Sequence, residues 1–201
     1  MTRLSPTRAA LFALASALLA TFACGPATPE ADEPGGDPFD PHRLYPLERG
    51  NVWSYNVDTG MEEPTLAITK VIAHIGSRIE VTSGGDPVVY ELRDDGIFRP
   101  GSGTWLLKAP VREGAEWPSS GGMVARVTST QATVETPNEA FSGCVRVEET
   151  GGEGDRYVQT VYCPGIGPVY LESRMTLTTS EVPVRVIARM LGYNLGGGDD
   201  P

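Results

Sequence analysis

From Leu44 onward, runs of β-forming residues are interrupted by turn residues every eight to twelve positions. That spacing is the mark of an antiparallel β domain. Gly (24) and Pro (17) make up about a fifth of the 201 residues, and both interrupt helices. No window carries a 3.6-residue apolar stripe, and a short helical turn around Pro41–Leu47 is all that the pattern allows. The runs alternate instead. Trp53, Tyr55 and Val57 are interleaved with Ser54, Asn56 and Asp58, which gives one apolar face. Further strands are expected at Leu66–Ile72, Arg78–Val81, Val88–Leu92, Ile97–Phe98, Met123–Glu135, Cys144–Glu149, Tyr157–Cys163, Val169–Leu177 and Val184–Leu191. Asp95-Gly96 reads as a two-residue hairpin turn. The expected fold is all-β: an antiparallel, strongly curved sheet or open barrel of about ten short strands.

One motif recurs. Pro46-Leu47-Glu48-Arg49-Gly50-Asn51-Val52-Trp53 and Pro110-Val111-Arg112-Glu113-Gly114-Ala115-Glu116-Trp117 share the frame P-x-x-x-G-x-x-W. Pro fixes the entry, Gly supplies a turn with positive φ, and Trp borders the next strand pointing inward. The frame is either a coincidence in a Gly- and Pro-rich chain or the start of two similar β modules.

The amino terminus reads as an export signal. Arg3 and Arg8 precede an uncharged run from Ala9 to Ala23. Fifteen such residues are too few to span a bilayer, which takes about 20, but they suit the hydrophobic region of a secretory signal. The run ends in Thr21-Phe22-Ala23-Cys24, which resembles a bacterial lipobox, with Thr21 standing where Leu, Val or Ile is usual. Lipidation of Cys24 would anchor the chain in a bilayer through its acyl groups; the other reading is an ordinary leader with Cys24 a stray thiol. Gly25 rather than Asp follows Cys24, which favours the outer membrane. Residues 25–41 hold five Pro, five acids and three Gly, too little apolar surface to offset ordering. The expected organisation is a signal at 1–23, Cys24 and a disordered acidic tether to 43, a β domain at 44–193, and a disordered tail at 194–201. The formal charge is −10, and it becomes −12 once the two leader Arg are removed. Nucleic acid is therefore not an expected partner.

Tyr45-Pro46-Leu47 through Gly50-Asn51-Val52-Trp53-Ser54-Tyr55 resembles the Y-P-L-x-x-G-N-x-W-x-Y opening of a loose group of uncharacterised bacterial lipoproteins. Leu106-Leu107-Lys108 with Gly114 and Trp117 is similar to their L-L…G…W element. Phe141–Glu149 is similar to their F-x-x-C-x-x-V-E-E strand, and Tyr162–Val169 to their Y-x-P-G-V-G-x-V turn. The similarity runs from about Tyr45 to Glu172 and departs at Thr136–Ala140, where the group reads P-A-G-T. It implies an exported β-rich domain and no reaction.

Cys144 and Cys163 flank Gly151-Gly152-Glu153-Gly154-Asp155. Their residue numbers total 307, which centres a hairpin between Glu153 and Gly154 and sets the two Cys opposite each other. A non-hydrogen-bonded pair brings Cα atoms within disulfide range, and export permits oxidation. Two buried free thiols are the alternative. No further Cys or nearby His completes a metal site, and no cofactor is expected. The two His, His42 and His74, lie near no G-x-S-x-G element. The acidic pairs Glu62/Glu63, Asp94/Asp95 and Glu148/Glu149 are sequence neighbours, which point to opposite faces of a strand and cannot share a proton. Gly165-x-Gly167 lacks the third Gly of a dinucleotide site.

The expectation is therefore a non-catalytic, membrane-anchored binding or accessory domain of the cell envelope. Its partners would be the bilayer, through Cys24, and an envelope protein or a hydrophobic ligand carried on the concave face. An envelope hydrolase, with carboxylates converging from distant strands, is the alternative of another class.

Overall fold

A computed structural model describes residues 37–60, 63–152, 156–176 and 184–196. The chain divides into two units, 1–34 and 35–201, and all described residues belong to the second. The export signal at 1–23, Cys24, the tether up to Gly36, Glu62, the centre of the 151–155 turn, Leu177 and the tail from Gly197 lie outside the described residues.

The body is one antiparallel sheet of twelve strands nearly closed into a barrel. The first half holds β1 (Val52–Asp58), β2 (Thr65–Ile75), β3 (Arg78–Thr82), β4 (Val88–Arg93), β5 (Gly96–Arg99) and β6 (Thr104–Lys108). The second half holds β7 (Glu116–Pro118), β8 (Met123–Glu135), β9 (Ala140–Gly151), β10 (Arg156–Cys163), β11 (Gly167–Met175) and β12 (Val184–Asn194). Each strand is hydrogen-bonded to the next in sequence, with one exception: β6 and β7 form the two edges of the sheet. The ring is instead completed by β1 pairing with β12. Ten strands lie where alternation places them. The two additional ones, β6 and β7, border the seam, and four strands run to eleven residues or more.

The repeated motif is a repeated structure. Gly50 N–H donates to Val71 O (3.0 Å), Val71 N–H to Asn51 O (2.9 Å) and Asn51 N–H to Glu48 O (3.1 Å). In the second copy Gly114 N–H donates to Val127 O (2.9 Å), Val127 N–H to Ala115 O (3.0 Å) and Ala115 N–H to Arg112 O (2.9 Å). Gly50 and Gly114 have φ of 91° and 80°, a region that L side chains rarely enter. Leu47, Trp53, Val111 and Trp117 are all buried. Each copy therefore opens a six-strand meander, and the barrel is two such meanders joined at β1–β12.

In an up-and-down meander successive turns alternate between two poles. A short helix, α1 (Pro41–Leu44), closes the pole at which β1 begins. Asp40 caps it by accepting from His42 N–H (2.8 Å), and Pro in the first turn costs no hydrogen bond. Arg43 O accepts from Gly165 N–H (2.7 Å) in the β10–β11 turn. The His42 ring Nε2 bonds Arg93 O (3.0 Å) at the β4–β5 turn. His42 is thus a brace between the helix and the barrel, while His74 is exposed on β2. Pro41 and Leu44 are buried, so the packed body begins at α1, inside the stretch assigned above to the tether. At the other end β12 runs to Asn194, and Leu195 still packs on the core.

Every β9–β10 pair from Arg156↔Gly151 to Tyr162↔Val145 has residue numbers totalling 307, the register derived from the two cysteines. Cys144 and Cys163 are disulfide-bonded, with Cα atoms 4.3 Å apart. The β4–β5 hairpin differs from the expectation by one residue. Arg93 pairs with Gly96, so Asp94-Asp95 is the loop and Gly96 already belongs to β5.

Candidate functional site: the barrel lumen

The lumen is a cavity of about 570 Å³, within the ~300–1,000 Å³ usual for small-molecule sites. Strand alternation supplies its walls. Tyr55 and Val57 of β1, Ala67 and Thr69 of β2, Leu171 of β11 and Ala188 of β12 form one side. Arg156, Val158, Thr160 and Tyr162, every second residue of β10, point inward from the other. Tyr45, immediately after α1, forms part of the floor. Its ring stands edge-on to Trp53 at 5.2 Å and lies 6.3 Å from Tyr162. Trp53 is fully buried and donates its indole N–H to Ile166 O at 2.7 Å. Tyr55 Oη donates to Pro168 O at 2.8 Å. These bonds seal the α1 pole. The opposite pole carries the β3–β4 loop, with Ser83, Gly85 and Asp86 on the lumen, and the Ser120–Met123 segment.

A polar cluster interrupts the apolar lining near that open pole. Glu149 ends the inward row Val145, Val147, Glu149 of β9 and is 5% exposed. Its Oε2 accepts from Ser119 Oγ at 2.5 Å. Arg99, the last residue of β5, reaches across the β6–β7 seam. Its Nη1 lies 3.3 Å from Ser119 Oγ and 3.4 Å from Ser120 Oγ, and its Nη2 lies 3.7 Å from Glu149 Oε1. The two edges of the sheet, which share no main-chain hydrogen bonds, are therefore bridged by side chains.

Burial raises the hydroxyl pKa of Tyr45, Tyr55, Tyr90 and Tyr162, since a phenolate could not be solvated there. At Tyr90 the Arg99 charge and its hydrogen bond to the hydroxyl, and at Tyr162 the Arg99 charge, pull the other way without reversing the shift. The floor and walls thus offer neutral hydroxyls beside a single partly buried guanidinium–carboxylate pair.

The acidic neighbours separate as strand geometry requires: Glu149 faces the lumen, while Glu148 receives a 3.4 Å contact from the exposed Thr128 hydroxyl. Asp94 and Asp95 are turn residues. Among the described residues no group of three or more His, Cys, Asp or Glu side chains is placed to hold a metal. Sequence reasoning expected a concave apolar face and placed Tyr55 and Val57 on one, but did not find Arg99 or Ser119. The signal for Glu149 is that it continues a buried valine row.

No protein-family model and no curated protein matches the chain. Two solved structures are similar to it. One is a candidate exported protein with a YmcC-like fold from Bacteroides fragilis, 16% identical, with a TM-score of 0.42, covering 75% of this chain and 98% of that one. The other is a candidate lipoprotein from Parabacteroides distasonis, 10% identical, with a TM-score of 0.41, covering 76% of this chain and 98% of that one.

Proposed function

We propose that this chain is an exported, lipid-anchored envelope protein that holds a hydrophobic ligand in its barrel and carries out no covalent chemistry. One observation carries the ligand reading: the sheet encloses a largely apolar lumen of about 570 Å³ that α1 and its neighbours plug at one pole. A barrel of this kind that served only as a scaffold is ordinarily filled by its own side chains. Export and anchoring rest on the leader, on Cys24 in its lipobox-like context and on the disulfide. The non-catalytic reading rests on the lumen's carboxylates. Glu149 is bound to Ser119, and Asp86 is exposed at the rim. Neither forms a close acid–base pair of the kind hydrolysis employs.

The ligand reading is tested by titrating the full mature protein with an apolar fluorophore such as N-phenyl-1-naphthylamine. Saturable binding is expected, and Ala188→Trp, which puts an indole into the lumen, should weaken it about tenfold or more. Equal binding by wild type and Ala188→Trp would remove the lumen as the site. Anchoring is tested by Cys24→Ser, which should leave the membrane fraction or keep an uncleaved leader. Absence of a labelled acyl chain on the wild-type protein after feeding labelled palmitate would end the anchoring reading.

A further inference from the structure

Resting on the lumen reading, we infer that the ligand is a single-chain amphiphile with an anionic head, seated with its chain among the apolar walls and its head against Arg99 and Arg156. A guanidinium has five N–H donors, and a partly buried one is ordinarily matched by a carboxylate at hydrogen-bond distance. Arg99 is not. Its side chain is 21% exposed, its carboxylate neighbour stands 3.7 Å away and its contacts to the Ser119 and Ser120 hydroxyls are at or beyond 3.3 Å, outside the ~2.7–3.2 Å of a good N–H···O bond; its further hydrogen-bond partner is the neutral Tyr90 hydroxyl. Glu149 instead directs its closest bond to Ser119. The pair is thus held apart by the serine between them, and the Arg99 guanidinium, met by neutral hydroxyls, has no carboxylate at hydrogen-bond distance beside the lumen.

Arg156 supplies a second guanidinium on the same cavity. It is partly buried, stands over Gly121 and has no hydrogen bond or ion pair among the described residues. Among the described residues the opposing charges on the cavity are Glu149, already bonded, and Asp86, exposed at the rim and screened by water. The cavity wall thus carries, among the described residues, two cations to one buried anion. The whole chain is acidic at −10, so its outer field repels small free anions. An anion that binds here needs a second source of affinity, and the apolar wall of Val57, Val81, Leu171 and Ala188 provides it. That wall is what points to an amphiphile rather than to inorganic phosphate.

The test displaces the same fluorophore from the full mature protein with four dodecyl amphiphiles below their micelle concentrations. They are dodecanoate, dodecyl phosphate, dodecanol and dodecyltrimethylammonium. Dodecanoate, dodecyl phosphate or both should compete about tenfold or more better than dodecanol, and whichever is tighter identifies the head as carboxylate or phosphate. Arg99→Gln should remove that advantage while leaving dodecanol unchanged. Arg156→Gln should reduce it, and serves as the second arm if Arg99→Gln fails to fold. Equal competition by all four, tighter binding of the ammonium amphiphile, or an anion advantage that survives both substitutions overturns the inference. If none of the four displaces the fluorophore, it is the lumen reading itself that falls.

Discussion

Glu172 shows how much one carboxylate can be moved by its register. It lies on the outer face of β11 between Tyr170 and Arg174, which share that face at two-residue spacing, and Arg185 approaches from β12. Its Oε1 accepts from Arg185 Nε at 2.7 Å and from Arg174 Nε at 2.6 Å, and its Oε2 accepts from Tyr170 Oη at 2.7 Å. The Arg185 bond is the largest influence, and together with Arg174 and Tyr170 it outweighs desolvation to bring the pKa down to about 2 from an ordinary 4.5. A pKa lowered by folding contributes stability that is complete above the unfolded value. That contribution is lost as pH falls from about 4.5 towards about 2. Glu172→Gln should therefore flatten the dependence of unfolding free energy on pH across that window, as read from urea midpoints, and change its slope little above pH 6. Identical acid limbs for the two proteins would mean that the three donors do not hold the charge.

No sequence pattern assembles that cluster, since Arg185 meets Glu172 only once β11 and β12 are in register. The lumen pair is similar. Glu149 was legible as an inward residue because Val145 and Val147 precede it on the same face. Arg99 was not, because β5 and β9 are distant in the chain and converge only when the sheet curls.

Among elements, what the sequence showed and what it hid follow from length and pairing. Strands with clean alternation, such as β1 and the Met123–Thr128 part of β8, declare their faces. The β9–β10 register was legible from two residue numbers because that hairpin runs unbulged from Gly151 to Tyr162. The two strands that escaped notice are the sheet's edges. In β6 the run Trp105-Leu106-Leu107 does not alternate, and β7 is a single Trp between Glu116 and Pro118. The P-x-x-x-G-x-x-W frame marks where each meander starts, but the edge strand that follows Gly114 is too short for periodicity to detect.

Edge pairing has a measurable effect. Amides of β6 and β7 that face the seam have no main-chain acceptor, whereas β1 and β12 are paired on both sides. Hydrogen exchange should be fast in Thr104–Lys108 and at Glu116 and Trp117 and slow in Val52–Val57 and Ala188–Asn194, although the latter lie at the ends of the body's chain. Faster exchange in β1 and β12 than in β6 would place the opening of the barrel at the wrong joint.

At the scale of the whole molecule the barrel is polar. The chain enters the body through α1 and leaves it after Asn194, and because β1 begins where β12 ends, with Val52 facing Asn194, both ends emerge at the plugged pole. The open pole is made only of connections between strands. With α1 and the Trp53 and Tyr55 bonds closing one pole, the lumen has no through-route among the described residues. On the ligand reading proposed above, a bound guest would leave by the rim at which it entered, and a second would enter only after the first had gone. Under that reading donor and acceptor would not stand at opposite ends of a relay; they would take turns at one rim, with local concentration and tightness of hold setting the direction of traffic.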